Sequence, residues 1–458
     1  MTKKFYLTSP IYYVNDKPHI GHAYTSIAAD VLARYWRSKG SQVMFLTGTD
    51  EHGMKNAQAA KAAHKSPQEF ADEISDEFKD SWKKLNISYD AFIRTTDPAH
   101  KELVQKTLTR LKKKNYIYKG KYEGLYCVGC EEYKAKAELE PGEICPVHRK
   151  KCEKISEEVY FFKLSEFRDK VKKLIESDEL EIQPEIRKNE ILGLLSSAPE
   201  SVAISRSKVS WGVKLPWDEK QTVYVWVDAL ISYLQGSWPA DLHLIGKDIL
   251  RFHGIIWPAM LLALEMKLPK KIFAHGYFTV DGVKMSKTLG NVIDPREIVE
   301  KYSADALRYF LLSEFPFGSD GDFSFDRLKK RYESDLANEL GNLVMRVLTL
   351  SGKIKNQKSK IKMINKNERI NKLIEDLRFS EALEEIWFDI KAMNAEIDQN
   401  KLWELVENKS NEAKKLLENY LGRISAVADQ LGPFMPETSQ KIQDQLKKGQ
   451  GEILFPKQ

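Results

Sequence analysis

The chain has 458 residues, 42% of them hydrophobic and 30% charged, with a net charge of +6 at pH 7. That is enough apolar material for roughly three domains with their own cores. The mild basic excess favours an acidic partner such as RNA without demanding one. No run of about 18 apolar residues occurs, and the opening Met-Thr-Lys-Lys-Phe-Tyr-Leu-Thr lacks the apolar stretch of a signal peptide. A cytoplasmic protein with no membrane contact is therefore expected. All four cysteines fall between Cys127 and Cys152, which points to a local metal site in a reducing compartment rather than a disulfide scaffold.

The first third alternates strand and helix. Phe5–Leu7 is a short apolar strand, and Tyr24, Ile27, Ala28, Val31, Leu32 and Tyr35 then recur at helical spacing up to Gly40, where a helix should stop. Val43–Leu46 is a continuous apolar strand leading into Thr47-Gly48-Thr49-Asp50-Glu51-His52-Gly53. Strand, helix, strand is the opening of a doubly wound, Rossmann-like nucleotide-binding domain, expected over 1–115. Residues 116–200 hold the cysteines, Pro141-Gly142 and many lysines, and read as an inserted subdomain. The α/β pattern resumes over 201–275 with the apolar runs Val223–Val227 and Leu242–Ile245. Ile272–Val280 reads as a strand turned by Asp281-Gly282. Asp294-Pro295 is a helix start, with a capping residue before proline at the first helical position.

From about 325 onward the chain reads as all-helical, giving regions 276–325 and 326–458. Leu340, Leu343, Val344, Val347 and Leu348 form one stripe, Leu383, Ile386, Trp387, Ile390, Asn394 and Ile397 a second, and Leu416, Leu417, Tyr420, Leu421, Ile424, Val427 and Leu431 a third. Such stripes are helix-bundle core. The six lysines between Lys353 and Lys366 read as a solvated linker.

Chemistry is concentrated in a few segments. Pro18-His19-Ile20-Gly21-His22 precedes the first helix, whose free N–H groups and positive dipole end suit a phosphate. Glycine there allows a ligand close to the backbone, and two imidazoles three positions apart can both donate to it. Alone, these are more simply two surface histidines. Lys284-Met285-Ser286-Lys287-Thr288 follows the hairpin. Two lysines on a loop can neutralise charge developing on a triphosphate, though alone they are a basic surface loop. Cys127-x-x-Cys130 and Cys145-x-x-His148 have the spacing of a closed, structural zinc knuckle. Cys152 is a rival fourth ligand.

Together the His19–His22 and Lys284–Thr288 segments resemble the two signatures of class I aminoacyl-tRNA synthetases, with Thr288 in place of the usual serine. Ile11-Tyr12-Tyr13-Val14-Asn15, Gly48–Gly53, Val225-Trp226-Val227-Asp228-Ala229, Gly246-Lys247-Asp248-Ile249, Phe252-His253 and the closing Gly432-Pro433-Phe434-Met435-Pro436 and Leu454-Phe455-Pro456 resemble methionyl-tRNA synthetases. The resemblance spans nearly the whole chain.

It implies ATP-dependent attachment of methionine to its tRNA, initiator and elongator alike, through a methionyl-adenylate, releasing pyrophosphate and AMP. His19, His22, Lys284 and Lys287 would be catalytic. With Gly21, Gly246 and Asp248 they would bind ATP, accompanied by magnesium. Asp50 and the backbone at Ile11 would hold the ammonium of methionine. Tyr13, Trp226, Ala229, Leu230, Tyr233, Ile249, Phe252, His253 and Trp257 would line the side-chain slot. The family often has proline at the position of Leu230. A thioether needs a long apolar slot with soft aromatic contacts, and Tyr13 or His253 would offer a polar contact near sulfur. One structural zinc per chain is implied on Cys127, Cys130, Cys145 and His148, the ligand pattern of one-knuckle members.

The helical region resembles the family's anticodon-binding bundle. Asn342 and Arg346, one turn apart, would lie on the anticodon face. Trp403 would stack on an anticodon base, although Leu402 stands where proline is usual and Trp403 also fits plain bundle core. The extra C-terminal tRNA-binding domain of dimeric members is not found, so a monomer is expected. A class I enzyme for cysteine or leucine is the nearest alternative, and a catalytically dead RNA-binding relative the next.

Overall fold

The computed structural model describes residues 3–134, 136–147, 149–285, 290–354, 368–408 and 410–456. The chain divides into two compact units. One holds 1–18, 42–80 and 89–275, the other 19–41, 81–88 and 276–458.

The first unit is built on a six-stranded sheet. Its strands run in the order Ala91–Arg94, Gln42–Asp50, Lys4–Tyr13, Leu242–Gly246, Lys271–His275 and Glu181–Gln183, and every neighbouring pair is parallel. The order reverses direction between Lys4–Tyr13 and Leu242–Gly246. In such sheets ligands bind beyond the carboxyl ends of the strands flanking that switch. Parallel strands buried on both faces read as continuous apolar runs, which is why Phe45, Leu46, Leu244, Ile245, Ile272 and Ala274 are all buried.

The first strand is longer than its apolar triplet suggests. It passes through Pro10, which has no N–H for the ladder. The register against Gln42–Asp50 shifts there, with Thr8 opposite Leu46 but Ile11 opposite Gly48. One extra residue on one strand is a bulge, and bulges re-aim the side chains that follow, here Ile11–Tyr13 at the switch. The run Val223–Val227 also divides. Val223 ends the strand Asp218–Val223 and Val225 begins the helix Val225–Ile231. A short buried apolar run fits either element. A four-stranded antiparallel sheet carries the cysteines, in the order Glu132–Lys134, Ile117–Cys127, Glu153–Phe162 and Val202–Ala203.

The second unit contains the helix Ile20–Ser38, buried almost all round as far as Ala33. The expected strand Ile272–Val280 is two strands, Lys271–His275 and Phe278–Val280, interrupted at Gly276–Tyr277. Phe278–Val280 pairs antiparallel with Val283–Lys284 through Asp281 and Gly282, both at positive φ, and parallel with Gly321–Phe323. Asp294 caps the helix Pro295–Tyr302 by accepting from the Arg296 N–H at 2.9 Å. Among the described residues the rest of this unit is helical from Phe325 to Lys448. The three apolar stripes are bundle core, with Leu340, Val347, Ile386, Ile390, Tyr420 and Leu431 all buried.

One buried cation ties this unit together. Arg308, fully buried, pairs with Asp30 of the helix Ile20–Ser38 at 2.7 Å. It also donates to the carbonyls of Phe434 at 2.7 Å, Pro433 at 2.9 Å and Leu85 at 3.3 Å. A buried guanidinium is tolerated only when its charge and donors are matched, and here they are. No helix among the described residues is long and apolar enough to cross a membrane.

Candidate active site

His19 is the N-cap of the helix Ile20–Ser38. Its Nδ1 accepts from the Gly21 N–H at 3.1 Å, and Nδ1 of His22 accepts from the His19 N–H at 3.3 Å. In each neutral ring the proton is then on Nε2, so both imidazoles present an Nε2–H donor. The rings stack at 3.7 Å between centroids. A Cβ on Gly21 would come within 2.9 Å of the His19 ring and 3.6 Å of the Met285 methyl group. Glycine is therefore required for this folded-back cap, and the second signature reaches the first. Ile20 also donates its N–H to the carbonyl of Ile293, just beyond that signature, at 3.1 Å. Lys284 closes the hairpin opposite Thr279. Lys287 and Thr288 lie outside the described residues.

The residues expected to hold methionine lie in the first unit. Asp50 ends its strand and is 2% exposed. Its Oδ1 is buried with no hydrogen-bond partner among the described residues. Burial, then the charges of Asp228, Glu131 and Glu51, push its carboxyl well above the usual range. Such a group lacks a cation. Ile11 lies opposite Gly48 on the neighbouring strand.

Around them runs an aromatic wall. Trp226 stacks on Phe252 at 4.1 Å and meets the edge of Tyr13 at 5.7 Å. The Tyr13 hydroxyl is buried and unpartnered among the described residues. His253 donates from Nδ1 to the carbonyl of Ile249 at 2.9 Å, which leaves Nε2 to accept from the Tyr233 hydroxyl at 2.7 Å. Burial lowers His253 to about 4, so the ring is neutral at pH 7. Phe252 and His253 sit in a π-helical turn, Phe252–Ile256, a distortion frequent at functional sites. Ala229 and Leu230 come from the helix Val225–Ile231. Trp257 is fully buried, edge-on to Trp238 at 5.5 Å and 6.3 Å from Tyr233. Gly246 precedes the tight turn Lys247–Ile249 at the carboxyl end of its strand, with Asp248 exposed.

Sequence reasoning missed the groups that hold this pocket. Asp228 accepts from His52 and from His100, each at 2.6 Å. Burial alone would raise Asp228, but the two imidazoles hold it well below the usual carboxylate range. Gln235 lies 2.9 Å from the other nitrogen of His100. Glu51, also buried, accepts from Nε and Nη2 of Arg94, at 2.7 and 3.1 Å. His52 stood in a noted motif, but nothing local marks His100.

Cys127, Cys130 and Cys145 bring their sulfurs within 4.8 Å of one another, with Cys130 and Cys145 3.7 Å apart. Zinc–thiolate bonds of about 2.3 Å in a tetrahedron put neighbouring sulfurs about 3.8 Å apart, so the thiols fit such an ion. Burial pushes the Cys130 thiol up, an effect a bound cation reverses. Cys152 is buried in the same cluster. His148 lies outside the described residues.

In the helical unit Arg346 lies 5.3 Å from the Trp403 ring centroid and pairs with Asp398. Asn342, one turn earlier on the same helix, is exposed. Trp403 is 37% exposed while Leu402 is fully buried. Leu402 is thus the core residue of this pair, and Trp403 is partly open to solvent. Most of the lysine-rich segment, 355–366, lies outside the described residues.

A parallel sheet reversing at its first strand, paired histidines capping the first crossover helix and a Met285 segment folded against them define a class I aminoacyl-tRNA synthetase. Residues 5–154 and 134–348 match the family described as tRNA synthetases class I (M). The methionine–tRNA ligase of Caldanaerobacter subterraneus subsp. tengcongensis is 43% identical, over 100% of this chain and 79% of the relative. That of Thermotoga maritima is 44% identical over 96% and 74%. Mycobacterium tuberculosis methionyl-tRNA synthetase, solved in complex with methionyl-adenylate, matches with a TM-score of 0.91 at 37% identity, covering 97% of this chain and 94% of that one. The chain belongs to the methionyl-tRNA synthetase family.

Proposed function

We infer that the chain attaches methionine to its tRNA in two ATP-dependent steps. The methionine carboxylate attacks the α-phosphorus of ATP, forming methionyl-adenylate and releasing pyrophosphate. The adenylate's carbonyl then passes to the terminal ribose of tRNA, releasing AMP. The observation that carries the substrate assignment is Asp50, a buried carboxylate whose Oδ1 has no hydrogen-bond partner among the described residues, in a unit that also supplies an aromatic wall. An amino acid's ammonium supplies the missing cation, and the wall takes an unbranched thioether.

Asp50 and the Ile11 backbone receive the ammonium. Tyr13, Trp226, Ala229, Leu230, Tyr233, Ile249, Phe252, His253 and Trp257 form or back the slot. Both His253 nitrogens are already bonded and the Tyr13 hydroxyl has no partner among the described residues, which favours Tyr13 as the polar contact to sulfur. His19 and His22 donate to ATP phosphates, Lys284 and Lys287 neutralise the charge that develops there, and Gly21, Gly246 and Asp248 contact the nucleotide. Magnesium accompanies ATP. The first step needs positioning and charge neutralisation rather than a general base.

Zinc, held by Cys127, Cys130, Cys145 and His148, would have no open coordination position and would be structural. Residues 1–115 and 201–275 serve catalysis, 116–200 carry the knuckle, 276–325 the lysine signature, and 326–458 read the anticodon of initiator and elongator tRNA through Asn342, Arg346 and Trp403. The protein works in the cytoplasm. Amino-acid-dependent exchange of pyrophosphate into ATP, run with every proteinogenic amino acid, tests the assignment. Methionine alone should support strong exchange, and equal exchange with leucine or cysteine would overturn it.

A further inference from the structure

Two adjacent residues of the cysteine knuckle reach into the walls of the amino-acid pocket. Cys130 accepts from the Trp226 indole N–H at 3.4 Å through its carbonyl, and Trp226 is the ring stacked on Phe252. Glu131 has φ 51, so the chain turns sharply after the cysteine. Its side chain, 1% exposed, runs to the start of the helix Met54–Ala62 and accepts the N–H groups of Met54 and Lys55. A helix start leaves such donors without intrahelical partners. Gly53, at the cap position, has no side chain to serve them. A Cβ on Gly53 would overlap the Glu131 carboxylate, and its φ of 102 already disfavours any other residue. The cap therefore comes from far along the chain.

One turn into that helix, Asn56 donates to the carbonyls of Asp50 at 2.9 Å and His52 at 2.8 Å. The path runs from knuckle to Glu131, to the helix start, to Asn56, to Asp50. The Glu131 carboxylate is engaged by the backbone N–H groups of Met54 and Lys55, so it acts on the substrate through the Asp50 loop rather than by touching it.

We propose that Glu131 is a positioning residue for methionine binding, suspending the Asp50 loop from the metal knuckle. This rests on Asp50 being the partner of the methionine ammonium. It is tested with Glu131→Gln and Glu131→Ala as full-length, metal-loaded proteins. Zinc is measured by release to a colorimetric chelator, methionine Kd by calorimetry, and KM for ATP by pyrophosphate exchange. Glu131→Ala should keep its zinc and raise methionine Kd about tenfold, the lower end of the usual effect of losing a supporting partner behind a site. Glu131→Gln should raise it less, because its amide oxygen still accepts one of the two N–H groups. KM for ATP should stay unchanged in both. Stripping zinc from the unaltered chain should weaken methionine binding similarly, and stripping it from Glu131→Ala should add little.

Unchanged methionine Kd in both variants would overturn the proposal. So would loss of zinc from either variant, additive effects of mutation and zinc removal, or equal losses for methionine and ATP. An unaltered chain without methionine-dependent exchange would instead overturn the reading beneath it.

Discussion

The Tyr233 hydroxyl donates to Nε2 of His253 across 2.7 Å, and the direction of that bond is set on the far side of the ring. There Nδ1 faces a carbonyl, Ile249, that can only accept. Tyr233→Phe leaves a buried ring nitrogen without its donor. It should cost about 1–3 kcal/mol of stability, the price of an unsatisfied buried group, as read by denaturant unfolding of the free protein.

Asp50 links methionine binding to pH. Its carboxyl is raised in the free protein, so below that raised pKa it holds a proton, and the ammonium of methionine favours the ionised form. Binding should therefore release a proton, and affinity should strengthen as pH rises toward ionisation of the free carboxyl. Calorimetry in buffers of different ionisation enthalpy measures the release. Asp50→Asn should abolish the release and weaken methionine by about 2–5 kcal/mol, as for a buried charge pair cut on one side.

Lys287→Ala should slow adenylate formation by roughly 10²- to 10³-fold, the usual effect of losing one preorganised donor to developing charge. Methionine Kd should barely move, since the lysine acts on phosphate. Single-turnover kinetics with equilibrium binding separates the two quantities.

For the metal, Cys145→Ser and His148→Ala should each lower zinc content, and Cys152→Ser should leave it unchanged. Because Cys152 is buried in the same cluster, the reverse pattern is a clear alternative that would assign Cys152 as the fourth ligand. Metal analysis of the purified variants distinguishes them.

Trp403→Ala should weaken use of tRNA by about 1–3 kcal/mol, the worth of one base–aromatic stack, and leave pyrophosphate exchange intact. The ring is 37% exposed, so the variant should avoid the loss of about 3–5 kcal/mol that follows truncation of a core tryptophan. Aminoacylation, exchange and thermal unfolding of the same variant check all three.

The parallel sheet, the helical C-terminal region and the cysteine cluster were legible because each leaves a local trace: apolar runs, period-3.6 stripes and short cysteine spacing. The bulge at Pro10 and the division of Val223–Val227 were not, because a run of apolar residues does not say where one element ends. Glu131 and His100 were invisible for a different reason. Each looks like an ordinary polar residue until the fold brings it to a helix start or to Asp228, and a buried charge declares itself only by its partners. Trp403 and Leu402 show the reverse case. Both fit a helix, and only their exposure separates a ring left partly open to solvent from a side chain packed inside.

The Arg308 cluster limits how this protein can be cut into pieces. A fragment beginning at 326, where the helical region starts by sequence, would leave Arg308 behind with Asp30 and without the Pro433 and Phe434 carbonyls. A fragment ending at 325 would keep the Asp30 pair and the Leu85 carbonyl but lose the Phe434 and Pro433 carbonyls, at a cost of about 1–3 kcal/mol for each donor left unsatisfied. Expression trials of a fragment ending at 325 should therefore yield aggregated or easily proteolysed material.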